Sequence, residues 1–199
     1  MRIYLIRHGE TDWNLEGKLQ GREDIPLNDN GIQQAIICGQ AFKGRKIKAI
    51  LTSPLIRAKR TAEIIAEMSG IKKVIVEDGL IERDFGVLAG VKYDSKKYFD
   101  TFGIEEGIEP FEDLHQRLIG CIKEKAESFD DEDIIMVSHG GAINSVISVL
   151  SAGELGSGKT RLKNACISIL EYKDGDLKLG LYNLTAKEFL GVEIDEYHC

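Results

Sequence analysis

The stretch MRIYLIRHG, residues 1–9, decides the fold, because it holds a short apolar run that ends in a basic pair and a glycine. A compact apolar run bounded by polar residues and glycine is typical of a buried strand. A similar arrangement occurs in IIMVSHGG, residues 134–141, and a third apolar run, residues 49–52, is followed by Ser53. The sequence therefore predicts three buried strands with polar side chains at their carboxyl ends.

Outward from these strands, apolar runs alternate with helical patterns. Strands are predicted at residues 2–6, 49–52, 74–77, 134–138, 166–172 and 177–184. Helices are predicted at residues 31–42, 55–68, 111–128 and 142–150. This alternation indicates an α/β protein, a three-layer α/β/α sandwich with a mostly parallel central sheet. The segment KDGD, residues 173–176, is a hairpin signal that predicts one antiparallel pair.

Composition narrows the functional classes. Residues 1–199 show no linker or repeat and are expected to form a single domain. The net charge of −7 disfavours nucleic acid as a partner. No apolar stretch has the length of a membrane span and no signal peptide is visible, so a cytoplasmic soluble protein is expected. The four cysteines are scattered without a CxxC pair, which argues against a zinc site or a disulfide framework.

Four basic side chains are predicted to meet at one edge of the sheet. Arg7 and His8 follow the first strand, Arg57 follows the second, and His139 follows the strand at 134–138. Ligands of open α/β sheets bind at the carboxyl ends of the strands. Gly140 could open a helix whose free N–H groups favour an anion, and arginine forks suit phosphate oxygens. Surface histidines beside unrelated salt bridges are the alternative, but the convergence favours a phosphate pocket.

Three segments, in this order, resemble the histidine phosphatase superfamily. This family includes the cofactor-dependent phosphoglycerate mutases, the fructose-2,6-bisphosphatases and the α-ribazole phosphatases. The matching segments are LIRHGET with Asn14, QG and DIPL within residues 5–27, SPLIRAKRTA at 53–62, and VSHGG at 137–141. The resemblance extends from residue 3 to about residue 170. It implies a phosphoglycerate mutase-like fold.

The resemblance also implies roles for individual residues. His8 would be the nucleophile that carries a phosphohistidine. Arg7, Arg57 and His139 would surround the phosphoryl oxygens. Glu82 matches the position of the family's general acid and base. The substrate-binding residues that the resemblance implies are Arg7, Thr11, Asn14, Gln20, Gly21, Arg57, His139 and Gly140. No metal and no cofactor are expected, because the arginines supply the positive charge.

The assignment of Glu82 has two alternatives. An ordinary ion pair with Arg83 or Lys92 would give this carboxylate a structural role only. Asp84 is the competing acid in the same segment, although the spacing to Phe85 favours Glu82.

Hydrolysis of a small phosphomonoester is the expected reaction, and the partner is a small phosphorylated metabolite. Residues 80–90 resemble the mutase form of this block, so a phosphoglycerate mutase is the alternative, followed by a catalytically silent phospho-ligand binder. The mutases carry a longer insert with an arginine pair, whereas residues 91–110 are short and contain no arginine. This favours a phosphatase with an open pocket and broad specificity. α-Ribazole phosphate, fructose 2,6-bisphosphate, phosphoserine and sugar phosphates all remain open as substrates.

Three further features have a bearing on function. GELGSGKT, residues 153–160, is a literal match to the P-loop pattern, but a P-loop follows a strand and opens a helix. Here a predicted helix precedes the segment and a predicted strand follows it, so a glycine-rich loop is expected. The tail at 188–199 could cover the pocket, and an edge strand could support a homodimer.

Overall fold

The computed structural model describes residues 1–92 and 107–192. The strands are β1 (Arg2–Arg7), β2 (Ala49–Thr52), β3 (Val74–Val76), β4 (Ile134–Ser138), β5 (Ile167–Lys173) and β6 (Asp176–Leu179). The α-helices are α1 (Asp12–Leu15), α2 (Asp29–Ala41), α3 (Ile56–Ser69), α4 (Phe111–Ser128), α5 (Gly140–Leu150) and α6 (Ala186–Leu190). Two short 3₁₀ helices cover Asp78–Leu80 and Gly86–Leu88.

The strands form one mixed sheet in the order β3-β2-β4-β1-β5-β6. The pairs β2–β3, β2–β4 and β1–β4 are parallel, while β5 is antiparallel to both β1 and β6. The carboxyl ends of β2, β4 and β1 therefore lie side by side in the middle of the sheet. This is the edge at which ligands of open α/β sheets bind.

Each face of the sheet carries its own apolar core, because successive side chains of a strand point to opposite faces. Ile3 and Leu5 of β1 pack in a cluster that includes the buried side of α4 and α5. Tyr4 and Ile6 pack in a second cluster that includes α2, α3 and α6. Full burial of one such aliphatic side chain stabilises the fold by about 1.5–3 kcal/mol. Both faces of the central strands are covered, which explains their uninterrupted apolar sequences.

The predicted fold class is confirmed, with corrections at the last strand and in the short helices. β6 ends at Leu179, short of the predicted 177–184, because Gly180 and Leu181 both hydrogen-bond to Ile169. Two residues facing one produce a bulge that interrupts the regular ladder. The chain regains one isolated bridge to β5 at Leu184. Helices α1 and α6, which are four and five residues long, were not predicted, since so few residues give no periodic signal.

Neither a membrane span nor a disulfide is present in the described part of the chain. No helix there is long and apolar enough to cross a bilayer. Cys38, Cys121 and Cys166 are buried free thiols. Burial raises the pKa of Cys166 to about 11 and that of Cys121 to about 12, so these two side chains remain neutral at physiological pH.

Candidate active site

The carboxyl ends of β1, β2 and β4 bring the predicted histidines together. Arg7 pairs with Ser138 in the β1–β4 register, and the His8 N–H donates to the Ser138 carbonyl at 3.0 Å. The rings of His8 and His139 lie 5.2 Å apart between centroids. Both rings are buried. Two histidines that are 131 positions apart in the sequence thus share one site because their strands are neighbours.

The His8 ring is oriented by its own loop. Its Nδ1 lies 2.6 Å from the carbonyl oxygen of Gly9. A carbonyl oxygen can only accept a hydrogen bond, so Nδ1 carries the ring proton and Nε2 of the neutral ring keeps its lone pair. Burial lowers the pKa of His8 well below its ordinary value, and the positive charges of Arg57 and Arg7 lower it further. His8 is therefore a neutral imidazole with a free Nε2, the form in which it can act as a nucleophile.

The His139 ring is hydrogen-bonded through Nε2, whereas the His8 ring is hydrogen-bonded through Nδ1. Its Nε2 lies 2.7 Å from the hydroxyl oxygen of Ser53, which also accepts the Leu55 N–H at 3.3 Å. Burial lowers the pKa of His139, with Arg57, His8 and Arg7 contributing in the same direction, so this ring is also neutral. The Ser53 hydroxyl can donate its own proton to Nε2, which places the imidazole proton on Nδ1. That Nδ1 is buried and has no partner in the described structure.

Arg57 is held by main-chain oxygens and not by a carboxylate. Its Nη1 donates to the Glu23 carbonyl at 2.6 Å, and its Nη2 donates to the Gly21 carbonyl at 2.7 Å. Gly21 has a φ of 53°, a backbone conformation that suits glycine. Burial lowers the pKa of Arg57 to about 10, against the charges of Glu82 and Asp24, which raise it. The guanidinium thus keeps its charge, and its buried Nε has no acceptor among the described residues.

Arg7 is held in the same way. Its Nη1 donates to the Leu162 carbonyl at 2.6 Å, and its buried Nε has no protein acceptor in the described ranges. A β-carbon on Gly140 would lie 3.3 Å from that Nε. Gly140 therefore leaves room for the Arg7 side chain. The main-chain N–H groups of Gly141 and Ala142 at the start of α5, where free donors to an anion are predicted, donate instead to the Glu82 carboxylate.

Glu82 caps the amino end of α5. Its carboxylate accepts the Gly141 N–H at 3.0 Å and the Ala142 N–H at 2.8 Å, and it also accepts the N–H of Arg83 at 2.8 Å. A carboxylate is favourable at a helix amino terminus because the free N–H groups there carry partial positive charge. A β-carbon on Gly141 would lie 2.8 Å from Glu82 Oε1, so the second glycine of the HGG segment makes room for the acid. Main-chain N–H groups therefore hold the Glu82 carboxylate at the start of α5.

Thr11 and Asn14 serve mainly to shape the loop after His8. They form the capping box of α1, in which the Thr11 hydroxyl accepts the Asn14 N–H and Asn14 Oδ1 accepts the Thr11 N–H. Asn164 reaches into this loop and donates to Asn14 Oδ1 at 3.1 Å and to the His8 carbonyl at 3.2 Å. The Oδ1 of Asn14 is thus fully used. Only its amide N–H₂ is left to contact a ligand.

Gln20 and Gly21 lie on the strip of chain that leads to Arg57. Gln20 is buried, and its Oε1 meets no donor within the described residues. Gly21 contributes its carbonyl to the Arg57 clamp. The structure therefore places Gly21 as a holder of Arg57, and it places Gln20 in the adjoining wall with a polar atom unused.

Three residues that hydrogen-bond to the predicted site residues were not predicted from the sequence: Ser53, Leu162 and Asn164. Leu162 acts through its carbonyl oxygen, which no sequence pattern reveals. Asn164 lies in a loop that no predicted element positions. Ser53 had a signal, since it directly follows a buried strand and precedes proline, at the edge where the other site residues cluster.

The P-loop-like segment folds upon itself. The Lys159 ammonium donates to the Gly153 carbonyl at 2.5 Å, and the main-chain N–H of Thr160 donates to the Gly156 carbonyl at 2.7 Å. The segment follows α5 and leads toward β5, the reverse of the P-loop context. The segment is therefore a glycine-rich loop stabilised by hydrogen bonds between its own residues, as predicted.

Two other predicted segments lie largely outside the described residues, which stop at 92, resume at 107 and end at 192. These are the open segment at 91–110 and the tail at 188–199.

No cluster of three or more histidine, cysteine or carboxylate side chains suitable for a metal ion occurs within the described ranges.

The sequence profile of the histidine phosphatase superfamily (branch 1) matches residues 3–185. The chain belongs to the histidine phosphatase superfamily. Its strand-end histidines and arginines are the residues that carried the resemblance in the sequence.

Relatives within this family carry the names of phosphatases and of mutases. The chain is 39% identical over 186 residues to the uncharacterized phosphatase PhoE of Bacillus subtilis (strain 168), covering 92% of this chain and 95% of the relative. It is 32% identical to the probable phosphoglycerate mutase GpmB of Cronobacter sakazakii, covering 87% and 86% of the two chains. A structure of phosphoserine phosphatase from Entamoeba histolytica with 3-phosphoglyceric acid aligns with a TM-score of 0.80 at 32% identity, covering 95% of this chain and 98% of that one.

Proposed function

We propose that this protein is a metal-independent phosphatase that hydrolyses small phosphomonoesters through a phosphohistidine on His8. The observation that carries the proposal is the state of His8, a neutral ring whose Nδ1 is bound to the Gly9 carbonyl and whose Nε2 is free. Three buried N–H donors without a protein acceptor in the described structure accompany it: Arg7 Nε, Arg57 Nε and His139 Nδ1. A phosphoryl group offers oxygen acceptors for all three.

The reaction divides into two displacements at phosphorus. In the first, Nε2 of His8 bonds to phosphorus while the bond from phosphorus to the leaving oxygen breaks. Protonated Glu82 gives its proton to that oxygen, and the alcohol departs. In the second, water attacks the phosphohistidine, the phosphorus–nitrogen bond breaks, and Glu82 takes up the proton from the water. Inorganic phosphate leaves, and His8 and Glu82 return to their starting states.

The rate acceleration would come mainly from the fixed positive groups. Arg57 is buried, Arg7 is partly buried, and main-chain carbonyls already orient both, so they need no rearrangement when charge develops on the phosphoryl oxygens. Such preorganised donors are usually the largest catalytic contribution, and removal of one costs about 10²–10³ in rate. The barrier to lower is high, because phosphomonoester hydrolysis is among the slowest uncatalysed reactions.

Hydrolysis is favoured over phosphoglycerate interconversion on two grounds. The similarity to the phosphatase of B. subtilis, at 39% identity, exceeds the 32% identity to the probable mutase of C. sakazakii. The segment at 91–110 also lacks the arginine pair expected of a mutase insert. The relative of E. histolytica acts on phosphoserine according to its name, which supports small phosphorylated metabolites as substrates here.

The experiment is phosphate release from p-nitrophenyl phosphate in the presence of EDTA, from about pH 5 to pH 8, with the wild type and His8→Ala. His115→Ala is the matched control, since His115 sits on α4 and bonds to the Phe111 carbonyl of its own helix. We expect wild type and His115→Ala to be active and His8→Ala to be inactive. Mass spectrometry of rapidly quenched wild type should show one added phosphoryl group, which His8→Ala lacks.

Substantial activity in His8→Ala would reject His8 as the nucleophile. Loss of wild-type activity with EDTA that added Mg²⁺ restores would reject the metal-independent mechanism. Interconversion of 3-phosphoglycerate and 2-phosphoglycerate without phosphate release would identify a mutase. Phosphate-ester binding without turnover would identify a silent binder.

A further inference from the structure

A four-residue segment, 161–164, forms one wall of the proposed active site and is anchored at each position. Asn183 bonds to it twice, accepting the Lys163 N–H at 2.8 Å and donating to the Arg161 carbonyl at 3.1 Å. Between these two contacts the Leu162 carbonyl accepts Arg7 Nη1 at 2.6 Å, and Asn164 donates to the His8 carbonyl. The segment is therefore fixed directly to the nucleophile loop and to a phosphate-binding arginine.

Asn183 itself is built for this clamp. Its backbone has a φ of 58°, a conformation that asparagine tolerates better than most residues. Its own N–H donates to the Ser168 hydroxyl of β5 at 3.1 Å. Asn183 thus connects residues 161 and 163 to the sheet, and the backbone of Arg161 has a defined position relative to the pocket.

The side chain of Arg161 is exposed on this fixed segment and has no carboxylate within salt-bridge distance among the described residues. Two other exposed cations near the site do have such carboxylate partners. Arg22 pairs with Asp84 and Glu109, and Lys163 pairs with Glu188. The charge of Arg161 is close enough to Arg7 to act on it, since it lowers the pKa of that guanidinium together with burial, the main cause. The positive charge of Arg161 is thus repelled by that of Arg7 and is not compensated by a carboxylate, although the protein as a whole has a net charge of −7.

We infer that Arg161 binds a second anionic group on the substrate's leaving group, a carboxylate or a second phosphate, while Arg7 and Arg57 bind the phosphoryl group that is transferred. The inference rests on the proposed function and narrows its substrate class to phosphomonoesters with an additional negative charge. The guanidinium fork suits either group, because both present two oxygens in one plane to its paired N–H donors. A bound dianion or trianion would also relieve the repulsion between Arg161 and Arg7.

The test compares substrates that differ only in the second anion. One pair is O-phosphoserine and O-phosphoethanolamine, which differ by one carboxylate. The other pair is propane-1,3-diyl bisphosphate and 3-hydroxypropyl phosphate, which differ by one phosphate. The ratio of kcat/KM within each pair is measured for wild type, Arg161→Gln and Lys163→Gln. Lys163→Gln is the matched control, because it removes a positive charge from the same segment while its ammonium is already paired.

We expect wild type to prefer the more anionic member of at least one pair, and Arg161→Gln to reduce that ratio roughly five- to tenfold, as for one charged hydrogen bond at an exposed site. Lys163→Gln should leave the ratio within about twofold of wild type. The carboxylate pair and the phosphate pair show which anion the arginine recognises. Equal ratios for wild type and Arg161→Gln in both pairs would overturn the inference while leaving the phosphatase itself intact.

Failure of the proposed function gives a different pattern. If wild type releases phosphate from none of these substrates, calorimetric binding of phosphoserine and of the bisphosphate to His8→Ala and to His8→Ala/Arg161→Gln still tests Arg161. Weaker binding of either ligand in the double variant would support the anion site without phosphatase activity. Equal binding of both ligands would overturn it.

Discussion

The two histidines of the site differ in which ring nitrogen is free, and single oxygen atoms set the difference. The Gly9 carbonyl holds the proton of His8 on Nδ1, whereas the Ser53 hydroxyl can donate to Nε2 of His139. One ring thereby offers a lone pair and the other offers an N–H. Two neighbours of opposite hydrogen-bonding character thus give the same type of side chain the two different states that the proposed mechanism requires, a nucleophile and a donor to the phosphoryl group.

Ser53→Ala tests this division of roles. Without the hydroxyl, His139 loses the partner that fixes its tautomer and ring plane, and we expect kcat to fall about 10–100-fold, as for a misplaced catalytic group. Side-chain ¹⁵N NMR should show His139 protonated on Nδ1 in the wild type and a mixture of tautomers in the variant. Ser69→Ala, which removes a hydroxyl bonded to the Ile65 carbonyl within α3, is the control and should retain full activity. An unchanged tautomer in Ser53→Ala would contradict the assignment.

The role of Glu82 can be separated from its capping contact by the choice of leaving group. A general acid matters most when the leaving oxygen is basic, and it contributes about 10²–10⁴ in rate. We expect Glu82→Gln to lower kcat/KM by that amount for an alkyl phosphate and by much less for p-nitrophenyl phosphate. A purely structural cap would lower both equally.

Asp84→Asn is the matched control for Glu82, because Asp84 was the competing acid and bonds instead to the N–H of Gly86 at 2.8 Å. Its kcat/KM should stay within a few-fold of wild type for both substrates. A leaving-group effect in Asp84→Asn and not in Glu82→Gln would transfer the acid role to Asp84.

For single residues, the sequence predicted which charged side chains lie close together, but not the main-chain oxygen atoms that orient the arginines. His8, Arg7, Arg57 and His139 could be grouped because each follows the end of a buried strand. The acceptors that hold the two arginines are carbonyl oxygens of loops at 21–23 and 162, whose positions depend on how loops far apart in sequence meet. Side-chain identity carries no information about such contacts.

Among the secondary-structure elements, the loop after β1 depends on close contact with the start of α2. A β-carbon on Gly31 would lie 2.1 Å from the Glu10 carbonyl oxygen, and one on Gly9 would lie 2.4 Å from the Gly31 carbonyl oxygen. The two glycines therefore allow backbone to pack on backbone beside His8. The helix amino terminus, with Asn28 as its cap, fixes the loop that carries His8.

We expect Gly31→Ala to destabilise the protein by about 1–3 kcal/mol, as overpacking does, and to lower activity by shifting residues 9–11. Gly120→Ala is the matched control, since that glycine lies in α4 and a β-carbon added to it would meet nothing within 4 Å. It should raise the free energy of unfolding by about 0.5–1 kcal/mol through the higher helix propensity of alanine. Urea denaturation of both variants measures the two effects. Equal changes of the same sign would contradict this account of Gly31.

The long elements were predictable because they show clear periodicity, and the boundaries failed where tertiary contacts intervene. α4 was predicted over its full length from its apolar stripe, and β4 from its unbroken apolar run. The bulge at Gly180 and Leu181, by contrast, is set by pairing with Ile169. Helix α1 begins with a capping box of Thr11 and Asn14, but a four-residue helix adds too little to an apolar pattern to be detected in the sequence.

For the whole molecule, two buried histidines make the free energy of unfolding depend on pH. His8 and His139 are buried and neutral, with pKa values lowered chiefly by burial. In the unfolded chain they titrate near their ordinary pKa, so below about pH 6.5 the unfolded state binds more protons than the native state. The stability associated with both histidines is therefore fully present above that pH and is lost as the pH falls toward their folded-state pKa values.

We expect the free energy of unfolding to fall between about pH 7 and pH 5.5, by at most about 1.4 kcal/mol per pH unit for each histidine. The slope should be shallower in His8→Ala. Saturating inorganic phosphate should raise the melting temperature and flatten the slope, since the anion pairs with the free donors and favours protonated imidazole. A melting temperature that is flat across this range in the wild type would contradict burial of two neutral histidines.

The hydrogen bonds from Arg7 and Arg57 to main-chain carbonyl oxygens have a consequence for how the sequence can change in evolution. A carboxylate partner can be lost by a single codon change, but the oxygens of Glu23 and Leu162 belong to the main chain and persist whatever side chain those positions carry. The loops around the pocket can therefore change in sequence while the two guanidinium groups keep their orientation, and under the proposed mechanism such changes alter which alcohol is accepted. A scaffold of this kind can acquire new substrates without passing through an inactive ancestor.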